Sequence, residues 1–192
     1  MWPRSVFHAT SELTSLKELL GLEVQVEHAN AAREIAVRPD LRILLGDIFK
    51  TDLRNIFEWK TDGPLLVVGN PPWVTNSELA TLSSGNRPKR INLKKLKGLD
   101  ALTGESNFDI AEAIWIKLLL ELFEFQPTIA LLCKTSVARN ILEFAASRRL
   151  PIAESWIRKI DAAVGFNASF DAVLFYVRIR HLPAESIFTD VY

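Results

Sequence analysis

The most distinctive chemistry in the chain lies in Asn70, Pro71, Pro72 and Trp73, which close an apolar run that begins at Pro64. Asn70 offers a side-chain carbonyl acceptor, and the two prolines have fixed φ and no N–H, so their carbonyls can be aimed without a competing donor. Trp73 adds a large flat face. Two acceptors and a stacking plane suit an exocyclic amino group on a planar ring. With both N–H bonds held, the nitrogen is drawn toward tetrahedral geometry. A lone pair that adenine otherwise delocalises into its ring can then attack an electrophilic methyl group. The alternative is a rigid turn at a strand end, since Asn and Pro are ordinary turn residues.

The elements that must position this turn are legible from periodicity. Leu65 to Gly69 is a continuous apolar run bounded by punctuators and reads as a buried strand. Upstream, Leu13, Leu16, Leu19 and Leu20 give a short helix from Thr10 to Leu20, with Thr10 or Ser11 as N-cap and Gly21 as its stop. A strand at Leu22 to Val26, a helix at His28 to Val37 and a strand at Arg42 to Gly46 follow. Downstream, Val74 to Glu105 has no clean period, a length that marks functional or disordered loops. Within it Arg87, Lys89, Arg90, Lys94, Lys95 and Lys97 form an acid-free basic stretch, readable as a solvated face or as a phosphate contact. Phe108 to Phe125 is the longest periodic helix. A strand at Thr128 to Cys133, a helix at Ser136 to Arg148 and two strands at Ala153 to Ile160 and Phe170 to Ile179 complete the chain. Alternating strands and helices imply an α/β fold with a mostly parallel sheet, closed by an antiparallel hairpin.

Composition sets the bounds. The 192 residues are 48% hydrophobic and 24% charged, enough for one sizeable core in a single domain. The 23 basic and 23 acidic residues cancel, so any nucleic-acid contact must come from a local patch. Cys133 stands alone in an apolar run, which excludes an intrachain disulfide framework and fits a reducing cytoplasm. His8, His28 and His181 lack metal-ligand spacing, and no metal site is expected. No apolar stretch reaches the length of a membrane span.

The Asn-Pro-Pro-Trp turn after a buried strand resembles the motif of methyltransferases that use S-adenosylmethionine (SAM) and act on amino groups, most of them on N6 of adenine in DNA. The order of elements from Leu13 to Ile179 is similar to their Rossmann-like sheet, where ligands sit at the carboxyl ends of strands. The resemblance implies that Asn70 and Pro71 accept the target amino hydrogens, with Pro72 completing the turn. It also implies that Trp73 stacks on the flipped base, faced from the other side by Phe166. Glu23 would hold the ribose hydroxyls of SAM, although Gln25 stands where that acid often falls and Glu23 also reads as a surface strand residue. Asp47 would meet the SAM adenine amino group, and without the downstream motif it would read as a turn or cap residue. Gly104 to Asp109 looks like the segment flanking the SAM site in enzymes of restriction-modification type, which points to Asn107 as a cofactor contact. Asn107 and Asp109 also read as helix caps. Arg87, Lys89 and Arg90 would meet DNA phosphates.

Two departures from the family pattern qualify these expectations. The chain has no Gly-x-Gly, and its first glycine is Gly21. The Gly-rich SAM loop and the first strand are therefore expected to be missing or altered, with only Ser5 to Ala9 in their place and a gap beside the central strands. No target-recognition segment is expected after Tyr192. The leading reading is a catalytic domain, N-terminally truncated, of a DNA adenine methyltransferase. One alternative changes the acceptor to RNA or a protein glutamine. Another is an inactive remnant that binds nucleic acid or a partner chain completing its fold.

Overall fold

The computed structural model describes residues 15–34, 41–56, 58–59, 62–73, 109–160 and 171–180. The chain divides into two compact units, Met1–Gly63 and Pro64–Tyr192.

In the first unit, β1 (Leu19–Glu23) pairs in parallel with β2 (Leu41–Leu45), in a register that sets Leu19 beside Leu41 and Glu23 beside Leu45. Helix α1 (Val26–Glu34) makes the crossover, and a single turn, α2 (Leu53–Ile56), buries Leu53. The start of β1 corrects the sequence expectation. Leu19 and Leu20 belong to a strand rather than to the end of a helix, and Gly21 lies within that strand instead of stopping a helix. The reason is pairing with β2, in which Gly21 lies beside Ile43 and leaves room for its Cδ1, 2.9 Å from where a Cβ would stand. Thr10 to Thr14, the rest of the expected helix, and Ser5 to Ala9 lie outside the described residues.

The second unit is a four-stranded sheet in the order β3-β4-β6-β5, built from β3 (Leu66–Gly69), β4 (Thr128–Lys134), β5 (Ile152–Ile160) and β6 (Ala172–Ile179). β3 and β4 are parallel, whereas β6 runs antiparallel to both β4 and β5, which gives the expected closing hairpin. No strand among the described residues joins β1 and β2 to this sheet. Pairing sets Ile129, Leu131 and Cys133 beside Val177, Phe175 and Val173 on one face. All six are at most 2% exposed.

Helices α3 (Ile110–Leu122) and α4 (Thr135–Ser147) complete this core. Trp115 from α3 meets Phe175 with ring centroids 4.7 Å apart, and Val137, Ala138 and Ile141 of α4 are buried. α3 is buried around most of its circumference. Its one buried charge, Lys117, is paired with Glu121 one turn on, as a desolvated ammonium requires. The helix passes into a 3₁₀ turn (Phe123–Phe125) closed by Gln126 in the left-handed region, after which Pro127 starts the chain into β4. α4 ends with Arg149 at φ 52°, its N–H on the Ala146 carbonyl, and the Leu150 N–H on the Ala145 carbonyl. This pairing is a Schellman closure, so the helix is stopped before Pro151 is reached. The opposite face of the sheet is more open, with Leu66, Val68 and Trp156 exposed and Trp156 stacked on Tyr176 at 4.6 Å.

Burial within this core pushes the Cys133 thiol up from its ordinary 9.0 to about 12. The folded protein therefore keeps the proton at pH values where the unfolded chain loses it. The thiol's contribution to stability is complete below about pH 9 and is lost as pH rises through about 12. At pH 8, Cys133 is expected to react with an aromatic disulfide reagent only at the rate of opening, and fast reaction in native buffer would contradict this burial.

Candidate active site

β3 forms because four residues without a charge or a long polar side chain pair with the buried strand β4, and it ends where Pro71 can no longer donate to a ladder. The register runs Leu66 to Thr128 through Gly69 to Leu131, so Asn70 leaves the sheet at its carboxyl end. Asn70 is exposed, Pro71 buried, Pro72 exposed and Trp73 half-buried. The buried proline fixes the backbone of the turn against the protein, while the Asn70 amide stands toward solvent, where an incoming group can reach it.

Other parts of the second unit converge on the same end of the sheet. β4 ends at Lys134, opposite Ala172 of β6, which in turn lies opposite Ile160 of β5. Asp109 caps α3, its Oδ1 accepting from the Ala111 N–H at 2.9 Å, while its Oδ2 accepts from Lys134 Nζ at 3.0 Å. One turn on, Glu112 Oε2 accepts from Asn140 Nδ2 of α4 at 2.9 Å. Burial raises the Glu112 carboxyl above its ordinary value, Asp109 adds to the rise, and the Asn140 hydrogen bond works against it. Segments 74–108 and 161–170 thus leave and rejoin the described chain at this end, through Trp73, Asp109, Ile160 and Asp171. Arg87, Lys89, Arg90 and Asn107 of the first segment, and Phe166 of the second, lie outside the described residues.

In the first unit, the two candidate cofactor acids sit at the carboxyl ends of neighbouring parallel strands. Glu23 is the last residue of β1, and its Oε1 accepts from the N–H groups of Val24, at 2.8 Å, and Gln25, at 2.9 Å. Gln25 stands beyond the strand, so Glu23 holds the strand-end position. The Glu23 carbonyl accepts from the Gly46 N–H at 2.8 Å, which ties this end of β1 to the residue before Asp47. Asp47 Oδ1 accepts from the Phe49 N–H at 3.0 Å, and Oδ2 pairs with the exposed Lys50 at 3.2 Å. Both acids therefore shape turns, as the alternative reading expected for Asp47, while Glu23, read alternatively as a surface strand residue, also ends β1. A carboxylate has about four lone-pair sites, so these bonds leave acceptor capacity on each. Lys134 carried no sequence signal. It reads as the end of a strand, and its partner lies 25 residues away.

Comparison with known proteins places this arrangement. The fold is similar to that of a crystal structure from Pyrococcus horikoshii proposed to be an RNA methyltransferase, with a TM-score of 0.52, 14% identity, and coverage of 93% of this chain and 71% of that one. The class is thus an α/β protein with the Rossmann-like sheet of methyltransferases. No protein-family model matches the chain. In sequence, it is 34% identical over 189 residues to the Type II methyltransferase M.NspV of Nostoc sp.. The match takes in 96% of this chain and 38% of that protein's length. The chain is thus similar in sequence to a Type II methyltransferase of which it spans less than half the length. Among the described residues no helix is long and apolar enough to cross a membrane, and no group of three or more His, Cys, Asp or Glu could hold a metal ion.

Proposed function

We propose that the chain carries the catalytic domain of an adenine-specific DNA methyltransferase, which moves a methyl group from SAM to the exocyclic N6 of an adenine turned out of the helix. The observation that carries this reading is the Asn70–Trp73 turn at the carboxyl end of β3, in a chain related to a Type II methyltransferase. Asn70 and the Pro71 carbonyl hold the two amino hydrogens, and Trp73 and Phe166 stack on the base. With SAM bound, the N6 lone pair would bond to its methyl carbon as the carbon–sulfur bond breaks, the electron pair staying on sulfur. The amino group then gives up one proton to solvent.

The acceptor character of Glu23 and Asp47 fits SAM, whose ribose hydroxyls and adenine amino group are donors. When bound, SAM supplies an electrophilic methyl on a positively charged sulfur. Glu23, Asp47 and Asn107 hold it, while Arg87, Lys89 and Arg90 meet the DNA backbone. Calorimetric titration of SAM into the purified chain is expected to give saturable binding that Asp47→Ala weakens by about tenfold or more, the scale of one lost charge-assisted hydrogen bond. Labelled SAM offered with adenine-containing DNA, RNA and protein side by side is expected to mark the DNA. Binding without transfer to DNA, or transfer to RNA or glutamine instead, would refute the acceptor assignment.

A further inference from the structure

The ion pair between Asp109 and Lys134 joins the start of α3 to the end of β4, the strand that neighbours β3 and its Asn70–Trp73 turn. Lys134 ends β4, the parallel neighbour of β3, and Asp109 is the N-cap of α3, which packs over the same sheet. Stability gives this pair little to do. β4, α3 and α4 are already held by Ile129, Leu131, Trp115, Ile141 and Phe175, each at most 2% exposed. With the core held by these side chains, the mostly buried pair, at 29% and 13% exposure, fixes one local geometry between two elements. The Asp109 carboxylate divides its oxygens between two tasks, Oδ1 on the helix N-terminus and Oδ2 on the lysine, so the pair fixes the first turn of α3 against the end of β4. That end is where open α/β sheets bind their ligands.

We infer that Asp109 and Lys134 are positioning residues for the methyl acceptor. They set the wall beside the Asn70–Trp73 turn, so that Asn70 and the Pro71 carbonyl meet the amino group in a productive geometry. The inference rests on the methyltransferase reading above. It concerns the acceptor because β3, β4 and α3 share one unit with the acceptor turn. Asn107, assigned to SAM, stands two residues before Asp109, so SAM affinity is measured beside the kinetics to separate the two.

The competing role for Lys134 is a direct contact to a DNA phosphate. The two roles predict opposite behaviour for Asp109→Asn. Asparagine keeps a cap for the Ala111 N–H but loses the charge that holds Lys134. A freed lysine would bind phosphate at least as well, whereas a positioning pair would be broken.

The test is a double-mutant cycle of Asp109→Asn and Lys134→Met in the full chain, with Lys134→Arg as the conservative variant. Readouts are kcat and KM for DNA, Kd for SAM by calorimetry, and the melting temperature. Each single change is expected to lower kcat/KM for DNA by about tenfold or more, the scale set by ångström-level misplacement. The double change should be no worse than either single one, and Lys134→Arg should restore most of the loss. SAM affinity should fall by less than kcat/KM does, an equal fall overturning the inference. Lys134→Arg, which keeps a charge beside the mostly buried Asp109, should hold the melting temperature near wild type.

Tighter DNA binding by Asp109→Asn, additive losses in the cycle, or unchanged kinetics in Lys134→Met would each overturn the inference. A wild-type chain that binds SAM but transfers no methyl to any acceptor would instead sink the methyltransferase reading, and this inference with it.

Discussion

Asn70→Ala is expected to lower methyl transfer to DNA by about 10²- to 10³-fold, the cost of removing one preorganised polar group from a reacting centre. The substitution takes away the side-chain acceptor and leaves the Pro71 carbonyl, so one amino hydrogen is still held and the other is not. The nitrogen then keeps more of its conjugation with the ring, and the loss falls on kcat. Three controls give the result its meaning. Asn70 is exposed and lies just past the end of β3, so the melting temperature should hardly move. SAM binding should also persist, since Asn70 is not among the residues assigned to it, which are Glu23, Asp47 and Asn107. Trp73→Ala should act differently, weakening DNA binding through lost stacking by about 1–3 kcal/mol. Undiminished transfer by Asn70→Ala would remove the acceptor role from this turn and return it to the rigid-turn reading.

Local features of this molecule were readable from its sequence, and features made by distant contacts were not. The Asn-Pro-Pro-Trp turn is contiguous, and the apolar run before it has the length of a strand, so both the element and its place at a strand end could be read directly. Asp109 as a helix cap was legible for the same reason. The helix expected at Thr10 to Leu20 was misread because Leu16, Leu19 and Leu20 suit a helical face, while what selects a strand from Leu19 onward is pairing with β2, beginning with Leu41. The fit of Gly21 against Ile43 is likewise invisible one residue at a time. Trp115 carries no distinct sequence signal as a core residue, because α3 is apolar on nearly every side. A stripe cannot be picked out where there is little polar face to contrast with it. The antiparallel pairing of β4 with β6 spans some 40 residues of intervening chain, and it is this pairing that sets Ile160 and Ala172 at the end of the sheet where Lys134 closes β4.

The largest effect on folding is expected from Trp115→Ala, at about 3–5 kcal/mol of lost stability. Trp115 is 0% exposed and is among the largest fully buried side chains described, in contact with Phe175 on the inner face of the sheet. Its truncation removes more volume than neighbouring side chains can fill, because Ile129, Leu131, Cys133 and Val173 are held in place by the strand pairing around them. The loss is a large share of the roughly 5–15 kcal/mol that holds a domain together, and for a chain of this size it corresponds to a fall of about 10 °C or more in melting temperature. Trp115→Phe keeps the aromatic contact and most of the volume, so it should cost clearly less. The Cys133 thiol reports the same event independently. It shares the buried face with Phe175, so a cavity at Trp115 should speed its reaction with a disulfide reagent at pH 8, and Trp115→Phe should leave it slow. A Trp115→Ala protein with a native melting temperature and an unreactive thiol would mean that this face of the sheet is not the core that holds the second unit together.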